Sequence, residues 1–326
     1  MNKKVIRWGI IGAGKIAKKF AEDLNTVFDS ELYAIASRSL KKAEHFASEY
    51  NANLAYGNYE ALTLDPNIDA IYIATPHSFH KTHTLLCLEQ QIPVLCEKPF
   101  AMNHTEVQQM IALAKANNTL LMEAMWTAFL PHFQYVLDLI KRKHYGNVIA
   151  LEADFGFRPK YDETSRLFDK SVGGGSLLDI GIYPIFAALS TLGQPNLIEA
   201  KADFFENGAD SECKMTFHYN TCKAFLKSTI VAETKTEAIF KCEEGNIIIN
   251  GRFHEASSVT LIDKHGNSEL KTFDYNTIGY NYEIEHFNQL IRTNKKESDI
   301  MTFNKSIALI STLDKVREII GLEYKN

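Results

Sequence analysis

The feature that most restricts the fold is an alternation confined to the first 125 residues. Short, continuous apolar runs are followed each time by an amphipathic helical pattern. "VIRWGII" (5–11) precedes "GKIAKKFAEDL", and "ELYAIAS" (31–37) precedes "LKKAEHFASEY". "AIYIAT" (70–75) precedes "SFHKTHTLLCLEQ", "VLCE" (94–97) precedes "HTEVQQMIALAKAN", and "LLMEAM" (120–125) closes the series. Strands without polar alternation are buried on both faces, which calls for a parallel sheet covered by helices above and below. In the second helical pattern Leu40, Ala43, Phe46 and Ala47 share one face, and Thr105 with Gln108 is the expected capping box of the fourth.

After residue 126 the rhythm changes. A helix-like "FLPHFQYVLDLIKRK" precedes a strand-like "NVIALEADFGF", a glycine cluster and a further helix. From 197 to 275 the chain reads as successive strands turning at "NGAD", "EEGN" and "KHGN", the mark of antiparallel pairing. Two helical segments, "YNYEIEHFNQLIR" and "FNKSIALISTLDKVREII", follow. The expected class is α/β, with one domain over 1–123 and a second over 124–326.

Composition excludes more than it identifies. With 326 residues, 45% of them hydrophobic, and a net charge of −5 with scattered cations, the chain has no electrostatic footprint for nucleic acid. No run approaches the roughly 18 consecutive apolar residues of a membrane span. The opening "MNKKVIRWGIIGAG" has basic residues before an apolar run, but Arg7 interrupts it and a glycine pattern follows, so export is not expected. Five cysteines without a CxxC spacing fit reduced thiols in a cytoplasmic protein.

"GIIGAGKIA" places Gly12, Gly14 and Ala17 in the G-x-G-x-x-G/A pattern between the first strand and the first helix. Gly12 suits a tight turn, Gly14 lets a pyrophosphate approach the backbone, and Ala17 lets helix pack on sheet. The helix opening at Lys15 and Ile16 then offers unpaired N–H groups to the anion. The first domain is therefore expected to be a Rossmann, doubly wound dinucleotide-binding unit. Where an NAD enzyme has an acid at the end of the second strand, this chain has Ser37, Arg38 and Ser39, then Lys41 and Lys42. Such donors suit a 2′-phosphate, so NADP is favoured, with NAD as the other option.

In an open α/β sheet ligands bind beyond the carboxyl ends of the strands. Three polar clusters fall there: "TPHSFH" (75–80), "EKP" (97–99) and "EAMW" (123–126). Thr75, Pro76, His77 and His80 are expected to line the cofactor cleft, with Glu97 and Lys98 beside the nicotinamide. Pro99 restricts the backbone of Lys98, and a lysine shielded from water near a cationic ring polarises a substrate oxygen. His77, His80 and His83 recur every third residue, but nothing completes a ligand set, so no metal is expected and His83 is read as surface. In "VGGGSLLDIGIYPI" (172–185), Gly173 to Gly175 read as an exposed, flexible approach. Asp179 and Tyr183, four apart, share a helical face on which a carboxylate and a phenol can meet a substrate hydroxyl, provided Pro184 lies in a first turn or at a kink.

These residues together resemble the Gfo/Idh/MocA family of NAD(P)-dependent oxidoreductases, through "GIIGAGKIA", "ATPHSFH", "EKP", "GGGSLLDIGIY" and the late "GYNYEIEHFNQLI". "RWGIIGAGKIA", "ASRS" and "MEAMWTAFLP" are similar to its dihydrodiol and D-xylose dehydrogenase branch. The resemblance implies a Rossmann domain followed by an α/β domain whose open, mainly antiparallel sheet forms a homodimer. It implies Lys98 as the catalytic lysine and Asp179 and Tyr183 as its partners. Trp126 and Phe155 match substrate-pocket aromatics, and Arg38 the 2′-phosphate arginine. Lys42 stands where the branch has a second arginine, keeping charge and losing the bidentate fork. The expected activity is hydride transfer between NADP and a hydroxyl-bearing carbon of a sugar, cyclic polyol or trans-dihydrodiol. A reductase of another carbonyl or an imine, and a non-catalytic dinucleotide sensor, are the alternatives.

Overall fold

The computed structural model describes residues 4–324. The first strands and helices alternate: β1 (Ile6–Ile11), α1 (Lys15–Leu24), β2 (Ser30–Ala36), α2 (Leu40–Tyr50), β3 (Leu54–Tyr56), α3 (Tyr59–Thr63), β4 (Ala70–Ile73), α4 (His80–Glu89), β5 (Val94–Glu97), α5 (His104–Ala116) and β6 (Leu121–Ala124). All six strands pair in parallel, in the order β3-β2-β1-β4-β5-β6. That is the Rossmann order, whose reversal between β1 and β4 opens a crevice at the strand ends. The elements β3 and α3, too short to show a period, escape a reading of the sequence. The cap of α5 also differs from expectation. The Asn103 side chain accepts from Glu106 N, and Glu106 reaches back to Met102 N, so the box is built two residues earlier than Thr105 and Gln108.

The chain continues through α6 (Pro131–Lys141), β7 (Val148–Gly156), a π-helical turn at Leu177–Gly181, α7 (Ile182–Leu192), then β8 (Leu197–Phe204), β9 (Asp210–His218) and β10 (Lys223–Thr229). It ends with β11 (Ala238–Cys242), β12 (Gly245–Ile249), β13 (Val259–Asp263), β14 (Ser268–Lys271), α8 (Tyr280–Arg292) and α9 (Phe303–Ile320). The second sheet has the order β14-β13-β12-β11-β7-β10-β9-β8 and is antiparallel apart from the β7–β10 pair. The stretch Lys170–Leu192 is apolar and long enough to cross a membrane by those criteria alone, yet most of it is buried within the protein.

Two compact units divide the chain: Met1–Trp126 with Asn276–Ile307, and Thr127–Tyr275 with Ala308–Asn326. This differs from the expected division into 1–123 and 124–326, because α8 and the start of α9 return to the first unit. The reason is burial of one face of α8. Phe287 packs 5.2 Å from the Trp8 ring, and Asn288 Oδ1 accepts from Trp8 Nε1 at 3.2 Å. Asp23, buried at the end of α1, accepts from the N–H groups of Ile278, Gly279 and Tyr280 at 3.0, 2.7 and 2.7 Å, capping α8 from 255 residues away in sequence. Phe20 of α1 stacks on Tyr72 of β4 at 3.7 Å, which joins the helix to the sheet.

Candidate active site

In the first unit the polar residues collect at the carboxyl ends of β1, β2, β4, β5 and β6. β1 runs into Gly12, whose φ of +103° and whose distance to Ala74 O, 2.8 Å from a would-be Cβ, both demand glycine. Gly14 is different. It begins α1 with an ordinary extended backbone (φ −91°), has no side-chain cap, and a Cβ there would meet nothing closer than Ala74 O at 3.9 Å. The space beside Gly14 and the uncapped N–H groups of Lys15 and Ile16 fit the diphosphate of a dinucleotide. Ala17 is fully buried against the sheet.

At the end of β2, Ser37 is buried with its Oγ accepting from Ser39 N, and Ser39 caps α2 by accepting from Lys42 N. Arg38 and Lys42 are exposed. Arg38 faces the Tyr59 phenol with its main-chain N–H and its guanidinium; burial raises the Tyr59 pKa and Arg38 opposes that rise. At the end of β4, Thr75 and His77 are buried. His80 is fully buried, with Nδ1 2.8 Å from Pro99 O and Nε2 2.8 Å from Thr75 O. Both ring nitrogens are committed to main-chain carbonyls, so His80 ties the β4 and β5 ends together rather than lining a cleft. His83 is not a surface residue: it is buried, its Nδ1 lies 3.0 Å from Thr75 Oγ1, and burial lowers its pKa to about 4. Among the described residues no group of three or more His, Cys, Asp or Glu is placed to hold a metal ion.

The Lys98 turn answers to several side chains. Lys98 is half-buried, and the Lys98–Pro99 peptide is cis. Glu97 is buried; its Oε2 accepts from Lys98 N at 3.1 Å and its Oε1 from the Tyr72 phenol. Trp126, also buried, stacks on Tyr280 at 4.5 Å and 17°. The aromatic position expected from the resemblance is therefore backed by the helix that Asp23 caps.

In the second unit the glycine cluster is buried, not an exposed approach. A Cβ on Gly174 would come within 2.5 Å of Arg166 O and 2.6 Å of Asp169 O, and Gly175 has φ +129°. Close packing of the 166–169 backbone, rather than flexibility, excludes side chains there. Buried Asp210 accepts from Ser176 Oγ at 2.7 Å and Leu177 N at 2.6 Å, pinning the π turn that leads into α7. Pro184 falls in the first turn of α7, directly after that turn, which supplies the irregularity a proline requires.

Asp179 forms an ion pair with Arg166, Nη2 to Oδ1 at 3.0 Å, a partner that sequence reasoning missed. Tyr183 lies in an aromatic cluster, its ring 5.7 Å from Phe155 and 4.8 Å from His254. His254 stacks on Phe155 at 4.0 Å and 28°. It is held by its backbone: Thr127 Oγ1 donates to His254 O at 2.7 Å, and His132 Nε2 donates to Phe253 O at 2.9 Å. His254 sits in "GRFHEAS", a loop with neither period nor motif, so no signal in the sequence marks it.

Comparison with known proteins places these features in context. The model of the GFO/IDH/MocA oxidoreductase family, NAD-binding Rossmann fold, matches residues 6–125, and that of the GFO/IDH/MocA C-terminal domain matches 133–248. The chain is 35% identical to the trans-1,2-dihydrobenzene-1,2-diol dehydrogenase of Xenopus tropicalis, over 98% of this chain and 99% of the relative. It is 33% identical to a scyllo-inositol 2-dehydrogenase (NADP(+)) of Bacillus subtilis, over 98% of each chain. Among solved structures, a 3-ketoreductase from Actinomadura kijaniata in complex with NADP and TDP-benzene superposes with a TM-score of 0.87 at 24% identity, covering 97% of this chain and 98% of that one. An aldose-aldose oxidoreductase from Caulobacter crescentus gives 0.88 at 18% identity, covering 97% of each. At those identities the two structures speak for the fold.

Proposed function

The chain belongs to the Gfo/Idh/MocA family of NAD(P)-dependent oxidoreductases, and from that premise we propose an NADP-dependent dehydrogenase acting on a cyclic polyol, trans-dihydrodiol or sugar. The observation that carries the reading is the Lys98 turn: a half-buried lysine whose main chain is braced by Glu97 and His80, at a strand end of the same sheet whose β1 end carries the proposed diphosphate cradle. When bound, the nicotinamide accepts or returns a hydride. Gly12, Gly14 and the first turn of α1 hold the diphosphate, and Thr75, Pro76 and His77 border the same strand ends. Ser37, Arg38 and Lys42 receive the 2′-phosphate, since no acid stands at the end of β2 to hold a ribose hydroxyl.

In the oxidative direction Tyr183, as the phenolate, takes the O–H proton as the C–H hydride departs, and a carbonyl remains. Lys98 orients the hydroxyl and supplies the positive charge that favours the phenolate. Asp179, held by Arg166, fixes the first turn of the Tyr183 helix, and Phe155 and Trp126 offer apolar walls to a ring face. The test is turnover by the purified protein with NADP or NAD against a panel of diols, inositols and aldoses. Lys98→Met and Tyr183→Phe are each expected to lower kcat by at least ~100-fold with NADP affinity retained. Near-normal turnover in either variant rejects the assignment, and equal kcat/KM for NAD and NADP rejects the phosphate preference.

We also propose the second sheet as a self-association surface. Phe225 and Leu197 are exposed on it, among the ion pairs Lys214–Glu212 and Lys227–Glu212. Phe225→Glu is expected to convert a dimer to a monomer by light scattering. The five free thiols suit a reducing compartment.

A further inference from the structure

The turn carrying Lys98 is gripped by a second carboxyl group that no motif singles out. Glu123 is the third residue of β6, paired with Cys96 in the adjoining β5 strand. Its side chain is 2% exposed, and Oε1 accepts from Phe100 N at 3.0 Å, two residues beyond Lys98. Glu97 holds the Lys98 N–H and His80 reaches Pro99 O, so three consecutive residues of the turn are each tethered to a buried polar side chain. The second Glu123 oxygen, Oε2, is buried without a hydrogen-bond partner, and the Ser306 hydroxyl of α9 lies close enough to the carboxyl group to favour its ionised form. An amide or hydroxyl would brace one N–H at a lower desolvation cost than a carboxylate. A carboxyl group at this place makes sense where its charge matters.

We propose that Glu123 is a positioning residue for Lys98: its carboxylate grips the Phe100 N–H and sets the pose of the amine, so that turnover follows the charge on Glu123. The inference rests on the assignment of Lys98 to catalysis made above. The groups that face Glu123 are Ser306 from α9, the Phe100 N–H, and Glu97, Lys98 and Cys96 from β5 and its turn. Burial raises its pKa to about 7; Ser306 and the Phe100 N–H oppose the rise, Glu97 adds to it, and Lys98 opposes it. The group therefore changes charge close to neutrality. Once protonated it keeps the contact to Phe100 without charge assistance, which roughly halves the strength of such a bond.

The experiment measures kcat and NADP affinity from pH 5.5 to 9 for the wild type, Glu123→Gln, Ser306→Ala and Lys98→Met, with a substrate found in the panel. In the wild type kcat is expected to fall about five- to tenfold as the pH drops through ~7. Glu123→Gln keeps an acceptor oxygen for Phe100 and binds NADP normally, and the ratio of wild-type to variant kcat, in which the Tyr183 titration common to both cancels, is expected to fall from about five- to tenfold at pH 9 to about one at pH 5.5. Ser306→Ala removes an interaction favouring the ionised form, and its acid limb is expected to move up by about half a pH unit or more. Should Glu123→Gln fail to fold, Ser306→Ala alone decides. A ratio of wild-type to Glu123→Gln kcat that does not change with pH, or an acid limb unmoved in Ser306→Ala, overturns the proposal while leaving Lys98 catalytic. Full activity in Lys98→Met removes the underlying assignment and the proposal with it.

Discussion

The two glycines of the nucleotide turn should fail in different ways when each gains one methyl group. At Gly12 an alanine meets two costs before any ligand arrives. The φ of +103° is strained for an L-residue, worth ~1–3 kcal/mol, and the Cβ at 2.8 Å from Ala74 O forces a shift between β1 and β4 worth a similar amount. Gly12→Ala is therefore expected to lose about 2–5 kcal/mol in the ligand-free protein, lowering the melting temperature by roughly 5–15 °C. Gly14 has φ −91°, which alanine adopts freely, and open space beside it. The small loss at the helix cap and the gain from a stiffer unfolded chain offset one another within about 0.5 kcal/mol. Gly14→Ala should leave the ligand-free melting temperature within ~2 °C of wild type. The same methyl group occupies the approach of a diphosphate to the α1 N–H groups, so the Kd for NADP should rise by ~30-fold or more, a loss of about 2 kcal/mol. Calorimetric melting of the ligand-free protein, paired with titration of NADP into each variant, separates the two effects. Wild-type affinity in Gly14→Ala refutes the argument, because a diphosphate on that helix end cannot ignore the added Cβ.

Two further outcomes follow from buried polar groups. Asp23→Ala leaves three N–H groups of the α8 start, two of them buried, without their acceptor, and is expected to cost ~3–5 kcal/mol in urea unfolding; a loss below 1 kcal/mol means that α8 does not depend on this cap. His132 is buried between Tyr275 and Phe253 O, and burial lowers its pKa to about 4 from 6.5. Below pH 6.5 the unfolded chain takes up a proton there that the folded chain refuses, so stability falls as pH drops from 6.5 towards 4, by ~2 kcal/mol at pH 5 and ~3 at pH 4. Urea unfolding of His132→Gln at pH 7 and 5 should show a pH slope shallower by that ~2 kcal/mol; an unchanged slope rejects the account.

Periodicity and local chemistry made the first sheet legible. Continuous apolar strands have one stable solution, a parallel sheet covered on both faces, and G-x-G-x-x-A at its first turn carries its own reason for each residue. The ends of β4, β5 and β6 could be located for the same reason, since a strand's end is a local event, and Lys98 could be singled out because it sits at one. The role of α8 could not be read this way. Its amphipathic pattern shows that one face is buried, but Trp8, Asp23 and Ser30 as its partners are a matter of tertiary packing.

By itself, then, the amino-acid order determined the longer elements, the order of chemistry along the first unit and the place of its glycine turn, because each depends on residues within a few positions of one another. Only the folded chain decided which groups are spent on holding others. It buried His83 and committed both nitrogens of His80, closed the glycine cluster against Arg166 and Asp169, paired Asp179 with Arg166, and stacked His254 on Phe155 beside Tyr183. The physical reason is that burial and hydrogen-bond partnership are properties of neighbours in space. A histidine or carboxylate looks the same in sequence whether its polar atoms face a ligand or a main-chain group a hundred residues away.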